Sequence, residues 1–588
     1  MTIRNHRWTI IQATESESVL KEQLAKEINV PDTLARVLCN RGITTYAKAK
    51  EFFRPQLSDL HDPFLMDGMD KAVARTIRAV ESKERIMVFG DYDVDGTTSA
   101  AMLTLFFRDL GAETSFCIPD RIKEGYGVSR LAIDKAKENG INLLVAVDCG
   151  ITALDQIDYA QSLGIDVIVC DHHEPLEKLP NAVAVLDPLK PGCLYPFKYL
   201  CGCGVGFKFI QGISSRLKRE SEETFANKYI DFVAIATSAD IVPMVGENRI
   251  FTKIGLQQIN LKPRAGIRAL IENSGLQPGR INTGQIVFVL APRINAVGRM
   301  GDASRAVQLL MSEDATITQQ LAQVLEEENK NRRKIDEDTF LQAQQLVESY
   351  LDADSDPAIV LHQETWHPGV IGIVASRLVE KYYRPTIMMT TVDGVAKGSA
   401  RSISGFDIHA ALKRVEDKLL QFGGHKYAAG LAVALDRVDE FREAFNLVVE
   451  ELMTDDIRTP EILIDAEITL SEITPRFLKI LKEFAPFGPS NMRPVFLARN
   501  VESAGLPRIV GKDHLRFKVR QDRFLVDAIG FMLGSLIDRV RSNEKKLDIV
   551  FSIDEYEWRS NQSPPPAQNS DSFLQLKVRD IRTNEEGN

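Results

Sequence analysis

Ile86-Met87-Val88-Phe89-Gly90-Asp91-Tyr92-Asp93-Val94-Asp95-Gly96-Thr97-Thr98-Ser99 is the stretch that decides the fold. An apolar run leads straight into three carboxylates at alternate positions, and a helix-like segment, 99–110, follows at once. A strand end that carries acidic side chains and then opens a helix is where open α/β sheets hold their ligands. Three like charges this close repel one another, so a divalent cation is the compensation expected. In an extended segment Asp91, Asp93 and Asp95 share one face. If the chain turns before Asp95, only two of them need meet a metal directly.

The pattern repeats downstream. The apolar run 142–147 ends at Asp148-Cys149-Gly150, 166–170 ends at Asp171-His172-His173, and 183–186 ends at Asp187-Pro188. Continuously apolar strands alternating with helices predict a parallel sheet buried on both faces. Asp91-x-Asp93-x-Asp95-Gly96 superficially matches a calcium loop, but that loop needs an incoming helix and a Glu at position twelve, where this chain has Met102. The alternative joins these aspartates to Asp148, His172 and Asp240. Carboxylates with one or two imidazoles suit Mn²⁺ or Mg²⁺, whereas zinc sites lean on Cys and His. Two ions ~3.5–4 Å apart need a shared carboxylate, a role that suits Asp148. One strand-end Asp alone reads equally well as a helix cap.

At 588 residues the chain exceeds the ~250–300 that one core supports. Residues 1–65 read as a helical segment that caps the next domain, and 66–300 as the parallel-sheet domain. Residues 302–356 lack Gly and Pro. Their centre, from Glu326 to Lys334, is polar all round, which predicts a connector helix (301–355) bridging domains through solvent. A second α/β domain spans 356–455, with helices expected at 370–382 and 405–420. Short alternating strands over 456–588 predict an OB-like β-barrel, and Pro564-Pro565-Pro566 marks 561–572 as a loop. Hydrophobic residues make up 44% and charged residues 26%, with no signal pattern and no run of the ~18 apolar residues that a membrane span needs. The seven cysteines lack C-x-x-C spacing, so free thiols in a cytoplasmic setting are expected. A net charge of −10 argues only mildly against a polyanionic partner. Metal-binding carboxylates inflate that count. In the β-rich region His514, Arg516, Lys518 and Arg520 alternate with Leu515, Phe517 and Val519. That puts a basic row on one face of a strand, which is a solvated face or, in an OB-like groove, a strand-binding one.

The motifs Asp91–Gly96, Val147-Asp148-Cys149-Gly150, Asp171-His172-His173-Glu174-Pro175 and Ala239-Asp240-Ile241-Val242-Pro243 resemble those of the DHH phosphoesterase superfamily. Further matches are Pro292-Arg293-x-Asn295-Ala296-x-Gly298-Arg299, Trp366-His367-Pro368-Gly369 and Gly423-Gly424-His425. With these, the set is similar to the bacterial single-stranded-DNA exonucleases within that superfamily, over roughly residues 50–580. The resemblance implies two α/β domains, DHH-type and DHHA1-type, a connector helix and an OB-like barrel. It implies a 5′→3′ exonuclease of DNA repair and recombination, with two Mn²⁺ or Mg²⁺ ions. Asp93, Asp95, Asp148, His172 and Asp240 would be ligands, with Asp91 close by, and catalysis would rest on His173, Asp148 and His172. His173 would touch the scissile phosphate or leaving oxygen. Many relatives carry a metal-binding His where this chain has Phe89, which leaves Asp91 as the candidate substitute.

Arg293, Asn295, Arg299 and Arg401 would contact the DNA backbone, as would the glycine-exposed amides of Gly423 and Gly424 beside His425; Arg516 and Lys518 would do so in the barrel. Single-stranded DNA is the implied partner of an expected monomer without membrane contact, and a helicase or single-strand-binding protein is a candidate recruiter. Two other readings use the same residues. One is a phosphodiesterase of short oligoribonucleotides or cyclic dinucleotides, against which the connector and barrel argue. The other is a non-catalytic DNA-binding replication scaffold, against which the complete set of strand-end acids argues.

Overall fold

The computed structural model describes residues 6–12, 14–121, 124–350, 356–541, 546–556 and 573–583. The chain forms two compact units. One runs from Pro55 to Arg458, and the other combines residues up to Arg54 with those from Thr459 onward.

The first unit is built on five parallel strands, β1 (Ile86–Gly90), β2 (Thr114–Cys117), β3 (Leu143–Val147), β4 (Asp166–Cys170) and β5 (Ala184–Leu186), in the order β2-β1-β3-β4-β5. Alternate residues divide between two cores, as a sheet covered on both faces requires. Val88, Val145 and Ile168 enter one core, and Met87, Phe89, Ala146 and Val169 enter the other. The register pairs Gly90 with Val147, Val147 with Cys170 and Cys170 with Leu186. The next residue of each strand is therefore Asp91, Asp148, Asp171 or Asp187, and four acids line one edge.

Helix α1 (Val94–Asp109) starts earlier than its apolar pattern suggests. Asp93 is its N-cap, its carboxylate accepting the Gly96 N–H at 3.0 Å. The chain thus turns before Asp95, and the extended face shared by three aspartates does not form. Helices α2 (Gly202–Leu217) and α3 (Glu222–Ala239) are buried along most of their length and bear on α1 from the side of the same core.

The expected connector is two helices, Ser304–Met311 and α5 (Ala315–Tyr350), the second following α4 (Ala291–Met300) in the chain. Asp314 separates them by accepting the Thr316 and Ile317 N–H groups. The polar centre of α5 does not bridge through solvent. Asn329 is fully buried, Glu326 accepts from Arg293 at 2.6 Å, and Asp336 pairs with Arg377 at 3.1 Å. The polarity serves pairing inside the unit.

A second sheet, in the order β9-β10-β8-β7-β6, is made of β6 (Ile359–His362), β7 (Thr386–Val392), β8 (Val395–Arg401), β9 (Gln421–His425) and β10 (Ala428–Ala434). Only β6 and β7 run parallel. Helix Ile371–Tyr382 matches its expectation. The helix expected over 405–420 is only Ile408–Lys413 and a 3-10 turn, Glu416–Lys418.

In the second unit, β11 (Phe496–Val510), β12 (His514–Gln521), β13 (Phe524–Gly530), β14 (Leu547–Tyr556) and β15 (Phe573–Thr583) close a five-strand barrel through the β11–β14 pairing. The helices before Arg54 share the barrel's core, with Leu34, Val37 and Phe52 alongside Phe477, Phe496 and Leu515. They belong to the barrel unit rather than capping the domain next in sequence. The loop expected at 561–572 lies outside the described residues.

Inside the first unit Lys208 and Glu247 form a fully buried pair at 2.9 Å. Glu247 also accepts from the Tyr195 hydroxyl and the His61 N–H, and Lys208 donates to the His61 carbonyl. Glu247→Ala strands a buried ammonium and should cost about 3–5 kcal/mol in urea unfolding. A loss below about 1 kcal/mol, the worth of an exposed pair, would show that the site is not dry.

Candidate metal centre and phosphate-binding arginines

The four strand-end acids differ in their bonds. Asp171 is used for support. Its Oδ1 accepts from His173 Nδ1 at 2.7 Å and from the His172 N–H, and its Oδ2 accepts the Ile151 N–H. Burial alone would raise the Asp171 carboxyl, but the hydrogen bond and charge of His173 bring it below the usual carboxylate range. Asp148 sits at φ +60° at the end of β3. Ile241, right after Asp240, takes the same left-handed conformation, a true outlier for a β-branched residue of the kind that gathers at functional sites.

Among the described residues, three groups of ligand atoms come within 4.8 Å of one another: Asp91, Asp93 and Asp148; Asp95, His172 and Asp240; and Asp148, His172 and His173. His172 Nε2 lies 3.2 Å from Asp148 Oδ1 and 3.8 Å from carboxylate oxygens of Asp95 and Asp240. Burial, then the neighbouring His173, push the His172 imidazole down to about 4, and a hydrogen bond to the Leu200 backbone occupies its ring. A neutral imidazole with one nitrogen so engaged offers the other as a ligand. Asp91 Oδ1, His172 Nε2 and Asp240 Oδ2 are buried without a hydrogen-bond partner. Buried polar atoms are otherwise nearly always satisfied, so these three fit cations. Phe89 lies in the core under the sheet, while Asp91 joins Asp93 and Asp148 in one of these groups.

Asp95 stands apart. Its two oxygens accept the N–H groups of Gly202 and Cys203 at 2.6 and 2.7 Å, at the N-terminus of α2. That helix end is a fixed source of positive potential. A Cβ on Gly202 would sit 2.6 Å from the Asp148 Cβ, so only glycine lets α2 come this close. Burial, then Asp93, push Asp95 up to about 7 against those donors. Burial and neighbouring carboxylates also raise Asp91, Asp148 and Asp240 well above 3.8.

Beside the acids lies a group of the opposite sign. Burial, then the charges of Arg121, Arg332 and Arg401, push Arg299 down to about 10. Arg299 donates to the Gly369 carbonyl at 3.0 Å, Arg401 to Ser399 Oγ at 2.8 Å, and Arg121 lies 4.8 Å from the Tyr92 ring. Clustered guanidinium groups are a fit for phosphate oxygens. Arg121 was not marked by the sequence, since it lies in an irregular loop without periodicity. Arg293 requires correction. It is buried, bonded to Glu326 and the Val289 carbonyl, and ties α4 to α5 instead of facing a phosphate. Asn295 leaves Oδ1 buried and unpartnered.

Gly423, Gly424 and His425 belong to the exposed edge strand β9, and His425 is near enough for its charge to bear on His172. Gly424 has φ +143°, and a Cβ there would meet the Ala428 carbonyl oxygen at 2.4 Å. In the barrel, Arg516 faces Arg508 across the strands. Lys518 is 4.0 Å from Asp527, Arg520 is paired with Glu502, and His514 accepts the Met532 N–H. The basic row is thus partly neutralised at Lys518 and Arg520.

These shifts predict the behaviour of metal-free protein. The raised carboxyls keep protons that the unfolded chain releases near 3.8, so the folded state binds more protons from there up to about 7. Stability supplied by this cluster therefore falls as pH rises through that window. With chelator present, Asp148→Asn should be more stable than wild type at neutral pH by roughly 1 kcal/mol or more, one pKa unit being worth about 1.4 kcal/mol. The gap should close toward pH 3.8. A variant less stable than wild type at neutral pH would contradict the electrostatics.

Residues 85–237 match the model of the DHH family, N-terminal domain, residues 355–451 the DHHA1 domain, and residues 464–565 the RecJ OB domain. The single-stranded-DNA-specific exonuclease RecJ of Bacillus subtilis (strain 168) is 36% identical over 562 residues, 95% of this chain and 70% of that one. The crystal structure of RecJ in complex with Mn²⁺ from Thermus thermophilus superposes with a TM-score of 0.82 at 28% identity, covering 98% of this chain and 79% of that one. The complex of RecJ with Mg²⁺ from the same organism gives 0.75 at 26% identity, covering 98% and 78%. The chain belongs to the RecJ family of single-stranded-DNA-specific exonucleases.

Proposed function

We propose that this chain hydrolyses the phosphodiester bonds of single-stranded DNA from the 5′ end, using two divalent ions, Mn²⁺ or Mg²⁺. The observation that carries the reading is the set of buried, partnerless ligand atoms on Asp91, His172 and Asp240, gathered around Asp148 and next to clustered arginines. Asp91, Asp93 and Asp148 would hold one ion, and Asp148, His172 and Asp240 the other. Asp95 completes the second group or braces it through α2. When bound, such ions neutralise phosphate charge and lower the pKa of a water to make it a nucleophile.

The chain's own residues do the rest. Asp171 holds the Nδ1 side of His173, which leaves Nε2 to face the scissile phosphate or the leaving oxygen. Arg121, Arg299 and Arg401 bind backbone phosphates, with His425 and the amides of Gly423 and Gly424 on the other sheet. Arg516 and Lys518 hold a further part of the strand on the barrel. The protein would act as a monomer in cytoplasmic DNA repair and recombination, on strands supplied by a helicase or a single-strand-binding protein. Its seven cysteines are all free thiols, and no described helix is long and apolar enough to cross a membrane.

The test is digestion of 5′- and 3′-labelled single-stranded DNA with Mn²⁺ or Mg²⁺, with and without chelator. Label should leave from the 5′ end only, and only with metal. Asp148→Ala should lower the rate by more than the roughly 10–100-fold typical of losing a residue that merely supports a ligand, with DNA binding retained. Release from the 3′ end alone would overturn the polarity. Near-wild-type cleavage by Asp148→Ala would overturn the metal assignment.

A further inference from the structure

Tyr126 is a residue that the fold does not need where it is. Half of its surface is exposed, yet its hydroxyl reaches into the acidic edge of the sheet. It donates to the backbone carbonyl of Asp148 at 3.3 Å, and the same oxygen lies 3.2 Å from His173 Nδ1 and 3.4 Å from Nε2. The two rings meet edge-on, with centroids 5.6 Å apart. Core packing does not explain the placement, because the ring remains half in solvent.

The loop that carries Tyr126 is preset. Gly125 and Gly127 flank it in the left-handed region, at φ +82° and +85°. Glu124 accepts from the Asp120 N–H at 3.2 Å and from the Ser129 hydroxyl at 2.5 Å, which ties the two ends of the turn together. Ser129 in turn caps helix Arg130–Glu138. The tyrosine is therefore offered to the site by a turn braced through Glu124.

Asp171 is one anchor of His173, but a single hydrogen bond at Nδ1 leaves the imidazole free to swing about its terminal torsion, which is broad for an sp³–sp² bond. A second polar contact on the ring removes that freedom. We propose that Tyr126 is a positioning residue for the hydrolysis: with its proton given to the Asp148 carbonyl, its hydroxyl oxygen accepts a share of the Nδ1–H that Asp171 also holds, which fixes the His173 ring and leaves Nε2 to face the phosphate. The inference rests on the functional reading above, in which His173 meets the scissile group.

Tyr126→Phe tests it, since the ring is kept and only the hydroxyl is lost. On 5′-labelled single-stranded DNA with Mn²⁺, kcat should fall about 10- to 100-fold, the scale of a small misplacement of a reacting group. KM and the Mn²⁺ affinity measured by calorimetry should stay within about twofold, and the thermal midpoint should not move. A merely structural role would move the midpoint or KM together with kcat. A kcat within about twofold of wild type overturns the inference. So does a fall in kcat matched by an equal loss of Mn²⁺ affinity, which would place the hydroxyl's work at Asp148. A raised KM at unchanged kcat overturns it too. A wild-type chain that leaves the DNA intact would sink the functional reading itself, whereas an active wild type with an unaffected Tyr126→Phe variant sinks only this inference.

Discussion

Repulsion among buried carboxylates is the constraint around which the first unit is arranged. Parallel strands in register deliver Asp91, Asp148 and Asp171 to one edge, and Asp93, Asp95 and Asp240 arrive from helix ends beside it. At the reduced dielectric of a buried site these charges interact far more strongly than in water. The fold answers part of the load with fixed donors: the N-terminus of α2 on Asp95 and the imidazole of His173 on Asp171. Burial and mutual repulsion still raise the proton affinity of Asp91, Asp148 and Asp240, even with Arg121 and His173 near Asp91, and that rise is the measure of what stays uncompensated. A buried acidic cluster left in this state fits a metal ion.

The arginines carry the complementary imbalance. Burial, then neighbouring guanidinium groups, depress Arg299 and Arg401, so part of their charge is also uncompensated. An acidic group awaiting cations beside a basic group awaiting anions is the pattern that a phosphodiester and its metal ions satisfy together. The chain's net charge of −10 conceals this division, because a total does not register where in space opposite charges gather.

Much of this was legible in the sequence, because period and punctuation act locally. The apolar runs ending in acids gave the parallel sheet, and Asp-His-His gave the second half of the site. Other features depend on tertiary contacts that leave no periodic trace. The turn at Asp93 converts an extended acidic face into a helix cap. The approach of Gly202 commits Asp95 to backbone donors, although the two residues are far apart in the chain. The centre of α5 reads as solvated because its residues are polar, yet Arg293 and Arg377 pair with it from elsewhere. Strands β8 and β9 leave little periodic trace, because Gly398, Gly423 and Gly424 interrupt their apolar alternation. Arg121 and Tyr126 sit in an irregular segment whose side chains acquire meaning only beside Tyr92 and His173.

The central claim is that the acidic edge is a cation site organised on Asp148. Anomalous diffraction at the manganese edge, from crystals of wild type grown with Mn²⁺, tests it most directly. The account predicts two peaks that share Asp148 as a neighbour, one beside Asp91 and Asp93 and the other beside His172 and Asp240, and the loss of both in Asp148→Asn. Strong manganese peaks elsewhere with none at this edge, or an unchanged pair in Asp148→Asn, would contradict it.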